Sequence, residues 1–176
     1  RVRQDVAATI CDRPVDAGAA PDPPRAVRDG LAGVHRLWSA RSGRLFYTCD
    51  DGQRDRFLAL VGETWVDEGV DFRVFGEARV PGLQPVHRFH APQRQSYFYT
   101  TVPSEVQKLV HSRDGQWQHQ GVAFYAFPPG VQPSGTIPVY RFWSAKLGYH
   151  WYTIDEVERK ELQTRHSDIW TFEGVA

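Results

Sequence analysis

The sequence lacks several features that would define a protein class at once. Its 176 residues include no methionine and only two cysteines, and 21 basic residues are balanced by 21 acidic ones. Without a basic excess the chain has no electrostatic footprint for a nucleic acid, so we expect no such partner. No apolar run approaches the roughly 20 residues of a membrane-spanning helix, and we expect no membrane span. The length suits one domain with a sizeable core.

The two cysteines, Cys11 and Cys49, admit two interpretations. A pair of thiols in an aromatic-rich chain fits one disulfide formed in an oxidising compartment, and we favour this interpretation. The bond would link the N-terminal segment to the first of the repeats described below, and it would stabilise the fold by about 2–4 kcal/mol. The alternative is two buried, reduced thiols.

The chain contains one unit three times. Seven positions are identical in all copies and stay in register without a gap: an opening Val, an Arg, a Tyr-Thr pair, a Trp and a Gly-Val pair. The copies open at Val34, Val86 and Val139, their tyrosines are Tyr47, Tyr99 and Tyr152, and their tryptophans are Trp65, Trp117 and Trp170. Such periodicity is typical of small units that bury their apolar faces against one another.

Each unit has the pattern strand, strand, helix, strand. The residues around the opening Val and before Tyr-Thr alternate in polarity, and a turn between them predicts a hairpin. The helix is clearest in the third unit, where Asp155 precedes it and acidic residues follow in its first turn. In the first two helices we expect an apolar, buried face at Phe57, Leu60, Val61, Val106, Leu109 and Val110.

A unit this small cannot bury its own apolar face, whereas three units around an axis can. We therefore predict a β-rich α+β fold, with three β-β-α-β repeats in a closed pseudo-threefold single domain that is β-trefoil-like or small-propeller-like. The repeats are expected at residues 34–85, 86–138 and 139–176, after an N-terminal segment at residues 1–33.

The last strand of the third unit is shorter than its counterparts. Residues 121–127 read G-V-A-F-Y-A-F in the second unit, whereas residues 173–176 read E-G-V-A in the third. We expect the strand-like residues 5–11 to lie beside residues 170–176 and complete this strand. The alternative is that the sequence simply stops within the motif.

The third unit resembles a bacterial and fungal repeat family of uncharacterised function. The resemblance rests on V-Y-R-F-W-S-A-K-L-G-Y-H-W-Y-T-I-D-E-V-E-R at 139–159 and W-T-F-E-G-V-A at 170–176. Units of that family read approximately R-[FY]-x5-G-x-H-[FL]-Y-T, then a helix rich in Glu and Arg, then Y-E-G-[VI]-A-[FW]-Y. They occur in secreted and surface proteins, often appended to glycoside hydrolases, lysozymes or peptidases. The resemblance covers residues 34–176 and implies a secreted accessory module that binds carbohydrate or cell wall.

The other two units depart from this family motif. The second has Gln95 in place of the Gly, Tyr97 in place of the His and Gln120 in place of the Glu, and the first has Leu45 in place of the His. If the motif His contacts a ligand, only His150 of the third unit would do so.

Residues identical in all three units are predicted to be structural. Arg36, Arg88 and Arg141 are expected to bond to Glu68, Gln120 and Glu173 of their own units. Trp65, Trp117 and Trp170 are expected in the core. Phe46, Phe98 and Trp151 alternate with the repeated tyrosines, so one set should face inward and the other outward. We predict that the tyrosines face inward, because they do not vary.

Candidate ligand contacts are aromatic and hydrogen-bonding residues near the hairpins. Sugar rings present C–H faces that stack on aromatic rings, and hydroxyl groups that need donors and acceptors. With aromatic residues at 13% of the chain, such pairs are available. The candidates are Trp38, His90, Trp143, Arg44, Tyr97, Tyr149 and His150. Three equivalent weak sites would gain avidity on a polymer.

Catalysis and metal binding are not predicted. The chain has no G-x-S-x-G or H-E-x-x-H motif. The carboxylate pairs Asp50-Asp51 and Asp155-Glu156 stand where helices begin and are better explained as helix caps. His87 and His90, three apart on a strand, should point to opposite faces and cannot share a metal. We expect no cofactor.

The leading hypothesis is therefore a secreted, lectin-like module that binds a glycan or cell-wall polymer without catalysis. The resemblance implies an appended enzyme domain as a further partner. The alternative is a protein-interaction module, such as a protease inhibitor or an accessory subunit of a secreted enzyme. An enzyme is the third hypothesis.

Overall fold

The protein is β-rich in the computed structural model, which describes residues 30–112 and 114–176. Within these residues the order strand, strand, helix, strand occurs three times, and the prediction of a β-rich fold with helices is confirmed. The strands are β1 Leu31–Ser39, β2 Arg44–Thr48, β3 Val66–Phe75, β4 Gln84–Ala91, β5 Ser96–Thr100, β6 Gln118–Ala126, β7 Tyr140–Ser144, β8 Tyr149–Thr153 and β9 Thr171–Val175. The α-helices are α1 Asp51–Val61, α2 Pro103–Val110 and α3 Glu156–Thr164. Residues 5–11 lie outside the described residues, so their pairing with the third unit stays a prediction.

Each unit forms a three-stranded antiparallel sheet whose first strand is central. β1 lies between β2 and β3, β4 between β5 and β6, and β7 between β8 and β9. The first two sheets join through the pair Phe75–Tyr125 of β3 and β6, which gives one six-stranded sheet. The third sheet stands apart, and together the strands form a nearly closed, barrel-like arrangement.

The helices begin where the sequence predicted. The Asp155 carboxylate accepts hydrogen bonds from the backbone N–H groups of Val157 and Glu158, and Asp50 accepts one from Gln53. Satisfying these free N–H groups is what favours Asp immediately before a helix. The interpretation of both aspartates as helix caps is confirmed. Among the described residues no helix is both long and apolar enough to cross a membrane.

The predicted buried face of the first two helices is partly wrong. Leu60 is 86% exposed and Val110 is 49% exposed. In α1 the side chain that packs on the sheet is Phe57, whose ring stacks on Phe46 at 4.3 Å. Gln53, four residues earlier on the same face, contacts Thr48 of the sheet. The face of α1 that contacts the sheet therefore contains Gln53 and Phe57, whereas Leu60 lies outside this face.

The three repeated tyrosines meet at the centre of the molecule. Tyr47, Tyr99 and Tyr152 are buried, and their rings pack edge to face with centroids 5.6 to 6.2 Å apart. The hydroxyl group of each donates to the backbone carbonyl oxygen of another, at 3.0 Å in all three cases. The inward orientation of the tyrosines is confirmed.

The residues that alternate with these tyrosines are also buried, so the prediction that they face outward is wrong. Phe46, Phe98 and Trp151 are 2%, 6% and 0% exposed. Strand alternation does place them on the other face of the sheet. That face is covered by α1 over Phe46 and by Trp170 against Trp151, with ring centroids 5.9 Å apart. Both faces of these hairpin strands are therefore core.

Candidate binding site

The motif arginines lie at the junctions between units. The structure contains the three predicted bonds within units: Arg36 Nε to Glu68 Oε2 at 2.7 Å, Arg88 Nε to Gln120 Oε1 at 2.9 Å and Arg141 Nε to Glu173 Oε2 at 2.9 Å. Each guanidinium also lies over an aromatic ring of another unit, Arg36 over Trp151, Arg88 over Phe46 and Arg141 over Phe98, at 4.9 to 5.6 Å. The repeat pattern could not show this second contact, because it compares equivalent positions and not neighbouring ones.

The junction of the first and third units concentrates negative charge. Arg36 bonds to Glu68, lies 3.9 Å from Asp71 Oδ2, and faces the buried Glu158 of α3. Burial raises the pKa of Glu158 to about 7 against the attraction of Arg36. Burial also raises the pKa of Asp71, whose Oδ2 atom is buried without a hydrogen-bond partner. One guanidinium thus lies near three carboxyl groups, and burial raises the pKa of two of them, Glu158 and Asp71.

The other two junctions are charged differently. Arg141 makes a bidentate ion pair with Glu105 at 2.8 and 3.0 Å, and burial alone would raise the pKa of Glu105. Hydrogen bonds from Arg141 and Thr100 outweigh burial, so the pKa of Glu105 is lowered. Arg88 instead donates to two amide oxygens, those of Gln53 and Gln120. The three junctions have the same geometry, but the groups around the arginine differ in charge.

The repeated tryptophans differ in burial. Trp170 is 3% exposed and lies in the core, as predicted. Trp65 and Trp117 are half-buried. Trp65 packs on Phe57 of α1 at 5.0 Å and Trp117 packs on Phe98 at 6.0 Å. All three support the aromatic layer beneath the helices.

Arg44 forms hydrogen bonds with the hairpin turns of all three units. Its guanidinium donates to the backbone carbonyl oxygens of Ser42, Arg94 and Leu147, at 3.1, 3.1 and 3.2 Å. Each of these residues belongs to the hairpin turn of a different unit. The same guanidinium lies 4.1 Å from the centre of the Tyr149 ring. The structure therefore places this predicted ligand residue in the scaffold.

Two predicted aromatic ligand residues are buried. Trp38 is 7% exposed and packs on Trp151 at 5.8 Å, and Tyr149 is 2% exposed and packs on Trp170 at 5.2 Å. Neither ring offers a face on which a sugar could stack. The cause is their position between hairpins of different units, which a single repeat does not reveal.

The remaining predicted ligand residues form two half-buried pairs. His90 stacks on Tyr97 at 4.6 Å, and Trp143 contacts His150 at 4.7 Å. The two residues of each pair lie directly opposite each other on the two strands of one hairpin. His150 Nε2 also lies 3.3 Å from Glu173 Oε2, which holds the ring in place. The hairpins thus offer two partly accessible aromatic surfaces and not three.

A groove of about 320 Å³ lies at the other end of the strands, away from the hairpin turns. Its wall includes the ends of β3, β6 and β9 and the connection that precedes β7. Aromatic and hydrogen-bonding side chains both contribute to it, among them Phe75, Tyr125, Phe127, Asp71, Gln132 and Thr136. This mixture distinguishes the groove from the apolar core beside it.

Sequence reasoning missed the groove. It is assembled from residues of all three units, so no single motif contains it. Asp71 and Tyr125 are not repeated positions, since Asp71 corresponds to Ala123 in the second unit. The sequence contains no signal for it, because its lining residues are far apart along the chain.

The predicted disulfide is not tested by the structure, because Cys11 lies outside the described residues. Within residues 30–112 and 114–176 Cys49 forms no disulfide; it is half-buried, and its Sγ atom donates to the carbonyl oxygen of Ala123 at 3.5 Å. Burial raises the pKa of its thiol.

The fold and the groove define a β-rich domain of repeated units with a candidate ligand site between them. The family model described as a domain of unknown function, DUF5648, matches residues 26–176. The chain belongs to this family. Comparisons with curated proteins and with solved structures returned no match.

Proposed function

We propose that this protein is a non-catalytic glycan-binding module of a secreted protein, and that the sugar binds in the groove. The observation that carries the proposal is the joint presence of aromatic rings and hydrogen-bonding side chains in one groove wall. Tyr125 and Phe127 would offer ring faces to the C–H surface of a sugar. Gln132 and Thr136 would offer donors and acceptors to its hydroxyl groups.

The size of the groove supports this proposal. Its volume of about 320 Å³ falls at the lower end of the range of about 300–1,000 Å³ for small-molecule sites. A groove of this kind suits one or two sugar rings of a longer chain. The half-buried pairs His90–Tyr97 and Trp143–His150 would then be secondary contacts on a polymeric ligand.

We also propose that the three units form a closed pseudo-threefold ring that holds the groove rigid. The cyclic hydrogen bonds of the three tyrosines support this arrangement, as do the three arginines that stack on neighbouring units. A binding site made from several units requires such a frame, because each unit contributes only part of the wall.

The test is binding of the purified domain to a panel of plant, fungal and bacterial glycans. Tyr125→Ala removes a ring from the groove, whereas Trp143→Ala removes one from the hairpin surface and serves as the matched control. We expect Tyr125→Ala to abolish binding and Trp143→Ala to retain most of it, with both variants folded by circular dichroism. Binding that depends on Trp143 alone would overturn the location of the site.

The same experiment also distinguishes glycan binding from the alternative function, a protein-interaction module. A protein that binds no glycan on the panel but captures one protein from a secreted fraction in a stoichiometric complex would be an interaction module. An inhibitor or an accessory enzyme subunit would behave in this way, and that result would overturn the glycan proposal.

A further inference from the structure

Two histidines on neighbouring strands bring their ring nitrogens together. His87 Nδ1 of β4 lies 3.0 Å from His119 Nε2 of β6, and the ring centres are 5.1 Å apart. The pair is created by irregular strand pairing, because the register between β4 and β6 shifts on both sides of His87. His119 is opposite Phe89 in the ladder, and its ring stacks on Phe89 at 4.7 Å. The partner of His87 is therefore a residue on another strand, and not His90.

The distance between the two nitrogens is suited to a shared metal ion. A transition metal binds imidazole nitrogen at about 2.0–2.1 Å, so two nitrogens at right angles around one ion lie about 3.0 Å apart. The pair is solvent-accessible, and binding one ion would require each ring to turn until its lone pair points at that ion. The rings are already held close by the strands, so binding an ion would cost little ordering of the side chains.

The equivalent place in the other two units already holds a positive charge. In the first unit Arg54 Nη1 lies 3.0 Å from His35 Nε2, beside Asp67. In the third unit the Arg159 guanidinium lies 5.0 Å from the centre of the Tyr140 ring. His87 is the counterpart of His35 and Tyr140, but the residue at the position of the two arginines is Val106. The second unit thus has two imidazole rings at this place, and Val106 stands where the other units have an arginine.

We propose that His87 and His119 bind one divalent transition-metal ion. Among the described residues no group of three or more His, Cys, Asp and Glu side chains could hold a metal. The ion would therefore take two protein nitrogens and complete its coordination with water. The order of affinities for nitrogen ligands makes Cu²⁺ the tightest-binding first-row divalent ion. Binding uses the lone pair of each facing nitrogen, so the proton now between them moves to the remote nitrogen of its ring or to solvent.

The experiment is a titration of the whole chain with CuCl₂, followed by calorimetry and by electron paramagnetic resonance. The wild type is expected to bind Cu²⁺ with a spectrum of two equatorial imidazole nitrogens. His87→Ala and His119→Ala should each weaken binding by at least about tenfold, the loss seen even when an outer partner of a metal ligand is removed. His111→Ala is the matched control, because His111 is exposed and its Nδ1 atom lies 2.8 Å from the carbonyl oxygen of Gln107 in the preceding helix.

Two results would overturn the proposal. One is equal Cu²⁺ affinity in the wild type and in the His87→Ala/His119→Ala double variant, with both folded by thermal melting. The other is a spectrum without imidazole nitrogen at the site. The proposal is independent of glycan binding, since the pair lies at the opposite end of β6 from Tyr125.

Discussion

The hydroxyl group of Tyr47 donates a hydrogen bond at 3.0 Å to the carbonyl oxygen of Tyr152, 105 residues further along the chain. Tyr152 donates in the same way to Tyr99, and Tyr99 to Tyr47. Each hydroxyl group therefore satisfies the backbone of a unit other than its own. Because the side chains are buried, these bonds have no competing water, and each tyrosine connects the folding of two units.

Tyr99→Phe removes a single hydroxyl group and is nevertheless expected to destabilise the protein strongly. The Tyr99 hydroxyl accepts from the backbone N–H of Tyr47 at 2.9 Å and donates to the Tyr47 carbonyl oxygen. Without it both backbone groups are buried and lose this partner, at a cost of about 1–3 kcal/mol each. Urea unfolding should show a loss of about 2–4 kcal/mol in the free energy of unfolding. Tyr140→Phe, at an exposed hydroxyl beside Glu156, is the control and should change it by less than about 0.5 kcal/mol.

Stability should fall as pH rises from about 4.5 to 7. The pKa of Glu158 is raised from an ordinary 4.5 to about 7, so the folded state binds a proton in this range that the unfolded state releases. A raised carboxyl pKa gives stability below the unfolded value and loses it as pH rises through the folded value. The change amounts to roughly 3 kcal/mol for this group. The measurement is the unfolding midpoint at a series of pH values.

Glu158→Gln isolates the source of this dependence. The amide stays neutral at every pH, so the variant should lose less stability than the wild type between pH 4.5 and pH 7. The slope that remains should reflect Asp71, whose pKa is also raised. An unchanged pH profile in the variant would show that Glu158 does not control it.

Gln53→Glu is expected to stabilise the junction of the first two units. Gln53 Oε1 accepts from Arg88 at 2.8 Å and from Thr48 at 2.7 Å. Glu105 holds the equivalent position and makes a bidentate pair with Arg141. A carboxylate at position 53 would give Arg88 a charged partner, worth about 1 kcal/mol beyond the neutral bond. Thermal unfolding at pH 7 should show a higher midpoint, and a lower one would mean that desolvation of the new charge dominates.

Leu162→Ala and Leu60→Ala should lower the free energy of unfolding by very different amounts, although both replace a leucine in a helix. Leu162 of α3 is fully buried, whereas Leu60 of α1 is 86% exposed. The first substitution leaves a cavity and should cost about 2–5 kcal/mol. The second should stay within about 0.5 kcal/mol. Chemical denaturation of both variants in parallel provides the comparison, and similar losses would contradict the burial of α3.

Features within one unit were predictable from the sequence. Alternation indicated the strands, Asp155 indicated the start of α3, and the repeated spacing paired each motif arginine with its acceptor. These features depend on neighbours along the chain or on hydrogen bonds across one small sheet. The inward tyrosines followed from their invariance among the units.

Features formed between units were not predictable. The sequence predicts Arg44 and Trp38 as ligand contacts, yet Arg44 bonds to three hairpin turns and Trp38 packs on Trp151 of another unit. The groove and the His87–His119 pair arise in the same way, from strand ends and register shifts that bring distant residues together. The spacing of one repeat contains no information on which neighbour will cover it.

The first two units share a backbone ladder through β3 and β6, whereas within the described residues no strand of the third sheet pairs with another unit. Among the described residues, the contacts of residues 139–176 with the other units include the side chains of Tyr152, Arg141 and Glu158. Parts of a protein open separately, each at its own free energy, and often as units that coincide with supersecondary motifs. We expect the molecule to unfold in stages, with the third unit detaching as one piece while β1 to β6 still protect their amide protons from exchange.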